Sequence, residues 1–119
     1  RALPYFDYIA PMVYPSHYPA NFNGWKDPNK VPYELIHFVM GSAVERVEAL
    51  KNATTTPAEV AERVSVEQLR TWIQDFDYGG NYDVAEVKAQ IRASYDVGLD
   101  SWMLWAPSNK YTKGALVAE

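Results

Sequence analysis

The chain has 119 residues, 48% of them hydrophobic and 22% charged, enough for one domain with a modest core and too few for two. A net charge of −4 argues against a nucleic-acid partner, which needs a basic face, and no apolar run approaches the roughly 20 residues that span a bilayer. Without cysteine there is no disulfide framework, thiol nucleophile or zinc–thiolate site. Aromatic residues reach 14%, with 9 Tyr and 4 Trp, more than a small core needs and suited to surfaces that bind partly polar ligands. Asn52-Ala53-Thr54 fits a glycosylation sequon, and the first residue is Arg1, so further chain is expected before it. Compartment stays open at this stage, with an extracellular or cell-envelope setting expected for the parent protein.

Residues 5 to 14, YFDYIAPMVY, read as a strand in which Pro11 predicts an irregularity, because proline cannot donate to a ladder. Residues 15 to 31 are loop, punctuated by prolines, Asn23-Gly24 and Asp27-Pro28-Asn29. A helix starts near Pro32. Leu35, Ile36, Val39, Met40, Ala43, Val44, Val47 and Leu50 form its apolar stripe, and Glu34, Glu45, Arg46 and Glu48 lie on its solvated side. Thr56 and Glu59 have capping-box spacing with Pro57 between them, which predicts a short helix over 57 to 63.

LRTWIQDFDY, residues 69 to 78, is the second strand, followed by the loop YGGNYD. Asp83 and Glu86 form a second capping box, opening a helix that runs to about Val97 and stops at Gly98. SWMLWAP, residues 101 to 107, is the third strand, and NKYTKGALVAE at the end reads as the first turns of another helix. The order strand–helix–strand–helix–strand, with connections of helical length, predicts a parallel α/β architecture. Strands apolar along their length fit a sheet covered on both faces, and three strands leave two open edges that something else should complete.

DYIAPMVYPSHY, LRTWIQDFDY and GLDSWMLWAPSNKY, taken together, resemble the C-terminal part of a glycoside hydrolase-like family with a (β/α)8 barrel, related to the amylase-like and chitinase-like barrels. The family pattern has proline where this chain has Thr71, and Asn-Pro where it has Ala106-Pro107. The resemblance implies a partial (β/α)8 (TIM) barrel of about three βα units, the last strands of the barrel, with residues 1–119 as a C-terminal fragment of it. A full barrel takes about 250 residues, so the chain would be less than half of one.

In such a barrel the working residues stand at the C-terminal ends of strands and in the loops beyond. That puts Tyr14, Ser16, His17 and Tyr18 at the rim. Alternation places Tyr8, Ala10, Met12 and Tyr14 on one side of the first strand, and the family's lumenal Met-x-Tyr pair maps onto Met12 and Tyr14. Asp75 and Asp77 reach the rim of the second strand on one side and form the candidate catalytic pair, since glycosidic cleavage needs two carboxyl groups about 5 to 10 Å apart. Turn chemistry is the competing reading for an Asp before an aromatic-Gly-Gly loop. Gln74, on the opposite side, is a candidate hydroxyl binder. Trp105, paired with Met103 on its face, would make a floor for a sugar ring, with Asn109 just beyond and with Trp102 and Leu104 turned to the helices.

His17 has no second histidine near it, since His37 falls in the helix, so neither a metal nor a cofactor is expected. In the related barrels the main catalytic carboxylates lie on the fourth and fifth strands, or on the fourth alone. The resemblance therefore implies a carbohydrate-active parent and a chain that is catalytically silent by itself. Its partners would be a carbohydrate and either the remainder of the barrel or other copies of itself. A non-catalytic carbohydrate-binding or structural barrel fragment that self-assembles is the alternative.

Overall fold

Three stretches of backbone run side by side in one direction, and a single proline decides which of them are regular strands. The computed structural model describes residues 1–116. Its helices are α1 (Pro32–Asn52), α2 (Ala58–Arg63) and α3 (Val84–Asp96), and its strands are β1 (Thr71–Gln74) and β2 (Trp102–Trp105). The strands pair in parallel, from Thr71 opposite Trp102 to Gln74 opposite Trp105. Mixed helix and strand with a small parallel sheet makes the chain α/β, as its element order predicts.

The strand expected over residues 5 to 14 is not regular. Leu3–Tyr5 is a 3-10 turn, and only two isolated parallel bridges follow, Ile9 to Leu69 and Met12 to Trp72. Both bridges keep the same register, since 69 − 9 and 72 − 12 are each 60. Four ladder bonds surround the gap: Ile9 N–H to Gln68 O at 2.8 Å, Arg70 N–H to Ile9 O at 3.0 Å, Trp72 N–H to Pro11 O at 3.0 Å and Val13 N–H to Trp72 O at 3.1 Å. The bond missing from that sequence is one Pro11 would have to donate, and it has no N–H. Segment 9–13 is thus a second parallel neighbour of β1, broken in the middle by its own proline.

The other expected strands are shorter than their apolar runs. β1 stops after Gln74 because a helix side chain takes over its hydrogen bonding. Gln74 N–H donates to Gln90 Oε1 at 2.9 Å, and Gln90 Nε2 donates to Gln74 O at 2.8 Å. The Gln90 carboxamide, buried on α3, occupies the place of one more residue of neighbouring strand. Beside it, Ser94 Oγ lies 3.0 Å from the buried Thr71 Oγ1, a second polar tie between α3 and β1.

α1 starts at Pro32, and its stripe forms much of the core: Leu35, Ile36, Met40 and Val47 are buried, with Val39, Ala43, Val44 and Leu50 packed beside them. The Asp83–Glu86 capping box of α3 is present, and Gly98 at φ 91° ends that helix in the left-handed conformation. The capping box expected at Thr56 is not made. Pro57 is itself the cap residue, and its carbonyl receives Val60 N–H and Ala61 N–H at 2.9 and 3.0 Å. At the C-terminal end, Lys113–Ala115 makes one 3-10 turn where further helix was expected; Val117, Ala118 and Glu119 lie outside the described residues.

The sheet is covered on one face only. Ile9, Val13, Ile73, Trp102 and Leu104 pack with α1 and α3 in the core. Tyr8 and Met12 are 55% and 68% exposed, and with Trp72, Met103 and Trp105 they lie on the face turned away from the helices. The accessible surface is 7644 Å² for a 13.5 kDa chain, against about 6,500 Å² for a compact protein of that mass. The radius of gyration, 15.4 Å, likewise exceeds the about 13.5 Å of a compact 119-residue domain.

The helix–strand tie yields a stability prediction. Gln90→Leu keeps the volume and strands two buried backbone groups of Gln74, which should cost about 2 to 4 kcal/mol in urea unfolding. A loss below about 0.5 kcal/mol would show that water takes the carboxamide's place.

Candidate functional site

The C-terminal ends of segment 9–13, β1 and β2 open onto one cleft of about 660 Å³. Its lining includes Tyr14, His17, Asp75, Phe76, Asp77, Tyr78, Trp105, Ser108, Lys110 and Thr112. Five of the eight residues singled out from the sequence therefore meet here: Tyr14, His17, Asp75, Asp77 and Trp105. They come from the ends of the three parallel stretches and the loops that follow them.

The first loop turns sharply as the 3-10 turn Pro15–His17, with proline at its start. The buried Gln74 holds this turn, since its Oε1 accepts Ser16 N–H at 3.1 Å while its Nε2 donates to Phe76 O at 2.9 Å. His17 then lies among aromatic rings, its centroid 5.7 Å from Tyr14, 6.0 Å from Phe76 and 5.8 Å from Tyr78. Its Nδ1 is 2.9 Å from Ser16 Oγ. Tyr14 is 8% exposed, and burial raises the pKa of its phenol, which keeps it a neutral hydrogen-bonding group.

The two carboxylates of the expected catalytic pair are both engaged. Asp75 accepts from Thr112 through both oxygens: from the backbone N–H at 2.8 Å and from Oγ1 at 2.6 Å. This ties the chain beyond β2 back across the cleft. Asp77 accepts Tyr82 N–H at 2.7 Å through Oδ1, which is turn chemistry, and among the described residues its other oxygen takes no hydrogen bond. Lys110 brings a cation to the same wall.

Three expected site residues stand elsewhere. Gln74 was expected to bind a hydroxyl group, yet it is fully buried, with both ends of its side chain used to shape the loops. Met12 lies on the open sheet face, outside the cleft lining. Asn109 is exposed at φ 57°, its N–H on Ala106 O at 3.0 Å, so its role is to make the turn after β2. Trp105 is 42% exposed at the cleft and meets Trp72 edge-on at 6.0 Å.

Sequence reading passed over Phe76, Tyr78, Ser108, Lys110 and Thr112. Tyr78 has a signal, an aromatic ring just before the Gly79-Gly80 pair. Thr112 has none, because its partner lies 37 positions away. Among the described residues no group of three or more His, Asp or Glu side chains is placed to hold a metal ion, and no helix is long and apolar enough to cross a membrane.

The model of the family described as "Putative glycosyl hydrolase domain" matches residues 2–111. No curated protein and no solved structure matches the chain.

The loop beyond Asp77 carries a pH signature. Tyr82 is buried, and burial, helped by the negative charges of Glu86 and Asp27, pushes its phenol well above the ordinary 10.0. The folded state thus holds that proton more tightly than the unfolded chain. The stability Tyr82 contributes is whole below about pH 10 and is lost as pH rises beyond it, because the unfolded chain ionises first. Urea unfolding at about pH 8 and about pH 11 should show a smaller alkaline loss in Tyr82→Phe than in the wild type. Equal losses would mean that the other buried tyrosines carry the effect.

Proposed function

This chain belongs to the putative glycosyl hydrolase domain family, and from that premise we propose that it supplies three consecutive strand–helix units of a (β/α)8 barrel that acts on a carbohydrate. The observation that carries the reading is the position of the cleft, at the C-terminal ends of three parallel neighbours, where barrels and open α/β sheets bind their ligands. A sugar presents hydroxyl groups at its edges and an apolar face of C–H groups. Trp105 offers a half-exposed indole to that face, His17 and Tyr78 add further rings to the lining, and Asp77 and Lys110 offer polar atoms to the edges.

Cleavage of a glycosidic bond needs one carboxyl group to protonate the leaving oxygen and a second to act as nucleophile or base. Asp75 has both oxygens on Thr112, and Asp77 has one on Tyr82. We therefore read this chain by itself as a sugar-binding rim without turnover, the main catalytic carboxylates being on strands it does not contain. The 119-residue chain should bind at least one of a set of soluble α-1,4- and β-1,4-linked hexasaccharides, followed by tryptophan fluorescence, and hydrolyse none. Trp105→Ala should weaken binding about tenfold, the loss of one stacking surface. Binding of none of them would sink the carbohydrate reading. Turnover that disappears in Asp75→Asn would overturn the silence of the chain.

The open face favours a second reading, a non-catalytic barrel fragment that assembles with copies of itself. The excess of about 1,100 Å² over a compact chain (7644 less about 6,500) exceeds the about 800 Å² that each partner buries in a standard interface. Light scattering on the purified chain distinguishes the cases. A stable oligomer supports copies covering the Tyr8–Met12–Trp72 face, and a well-folded monomer points to a self-contained α/β domain that needs no completion.

A further inference from the structure

The outer wall of the cleft is held from behind by a residue that does not line it. Asn29 sits in the 15–31 loop, in the 3-10 turn Pro28–Lys30, with its own N–H on Asp27 Oδ1 at 3.1 Å. From there its Nδ2 donates to Tyr78 O at 2.7 Å, across 49 residues of chain, and its backbone carbonyl accepts the Tyr82 hydroxyl at 3.0 Å. The bonds clasp the 76–82 loop at both ends, and Tyr82 N–H in turn holds Asp77.

Two further observations single this contact out. Asn29 Oδ1 is buried and has no hydrogen-bond partner among the described residues, so the side chain keeps an orphan acceptor in order to make its one donor bond. Such a group costs about 1 to 3 kcal/mol and calls for a reason. Opposite it stands Gly80, where a Cβ would come within 2.8 Å of Asn29 Nδ2, an atom already fixed on the Tyr78 carbonyl. Only glycine lets the two loops approach this closely.

We propose that Asn29 is a positioning residue for the cleft: it locks the loop carrying Asp77 and Tyr78 against the loop carrying His17, and so sets the distance between the His17–Tyr78 wall and Trp105. The consequence for a ligand rests on the carbohydrate reading above, whereas the lock itself does not. An aromatic wall that stands in place before the ligand arrives loses less loop entropy on binding. With the lock released, Tyr78 and Asp77 keep their chemistry and lose their fixed place.

The test uses hydrogen exchange on the ligand-free 119-residue chain together with hexasaccharide titration. Asn29→Asp keeps the shape and removes the donor, Asn29→Ala removes the side chain, and Gly80→Ala disturbs the same contact from the other loop. In each variant the Tyr82 amide, held on Asp77, should exchange about tenfold faster, with those of α1 and β1 unchanged. Hexasaccharide affinity should fall about tenfold, with no change in the fluorescence of the saturated complex. Unchanged exchange at the Tyr82 amide overturns the lock. Faster exchange with wild-type affinity overturns its role in positioning the wall for a ligand. Faster exchange in a chain whose wild type binds no hexasaccharide supports the lock and overturns the carbohydrate reading of the cleft.

Discussion

The pairing of the Gln90 carboxamide with the Gln74 backbone is the constraint on which the rest of the structure depends. A parallel strand that ends inside a protein leaves a buried N–H and a buried C=O without partners, and each would cost free energy if left bare. An amide side chain carries one donor and one acceptor side by side, so a glutamine on the covering helix satisfies both. The position of α3 thereby becomes the position of the end of β1. Once the backbone of Gln74 is satisfied from α3, its own side chain is free to reach the other way, to Ser16 and Phe76. A chain of three polar contacts thus runs from helix to strand to loop, through an interior where unsatisfied polar groups are expensive and satisfied ones are rigid.

The cleft follows from that rigidity. Each of its three loops is tied by a polar side chain near the end of β1: the first by Gln74, the second by Asp77 and the third by Asp75. The carboxylates that look catalytic on paper therefore do architectural work here. Asp75, buried with both oxygens accepting from Thr112, is a strong anchor because hydrogen bonds to a charged acceptor are about twice as strong as neutral ones. What remains open to a ligand is aromatic surface, a lysine and one oxygen of Asp77.

The sheet has two unlike faces, and the difference is informative. Toward the helices it is close-packed, with Val13, Ile73, Leu35, Ile36 and Met40 essentially without exposure. Away from them it presents Tyr8, Met12 and Trp105 to solvent, with the indole N–H of Trp72 buried and without a hydrogen-bond partner among the described residues. Aromatic rings and methionine thus stand on a strand surface with a buried indole donor among them.

The sequence carried the elements whose signals are local. Pro32 and the stripe from Leu35 to Leu50 marked α1, the Asp83–Glu86 spacing and Gly98 bounded α3, and helical-length connections between apolar runs announced a parallel α/β order. Even the fault in the first strand was legible, because the loss of a donor at Pro11 is a property of that residue alone. Tertiary structure decided everything that depends on partners far along the chain. The surroundings of Gln74 come from α3 and the Ser16 turn, and the partner of Asp75 is Thr112, 37 positions further along the chain. Asn29 looked like turn punctuation until Tyr78 and Tyr82 closed on it. Backbone propensity and hydrophobic period act over a few residues, so they can be read from the chain itself. The role of a polar side chain is set by which donors and acceptors reach it in space, and only the fold brings those together.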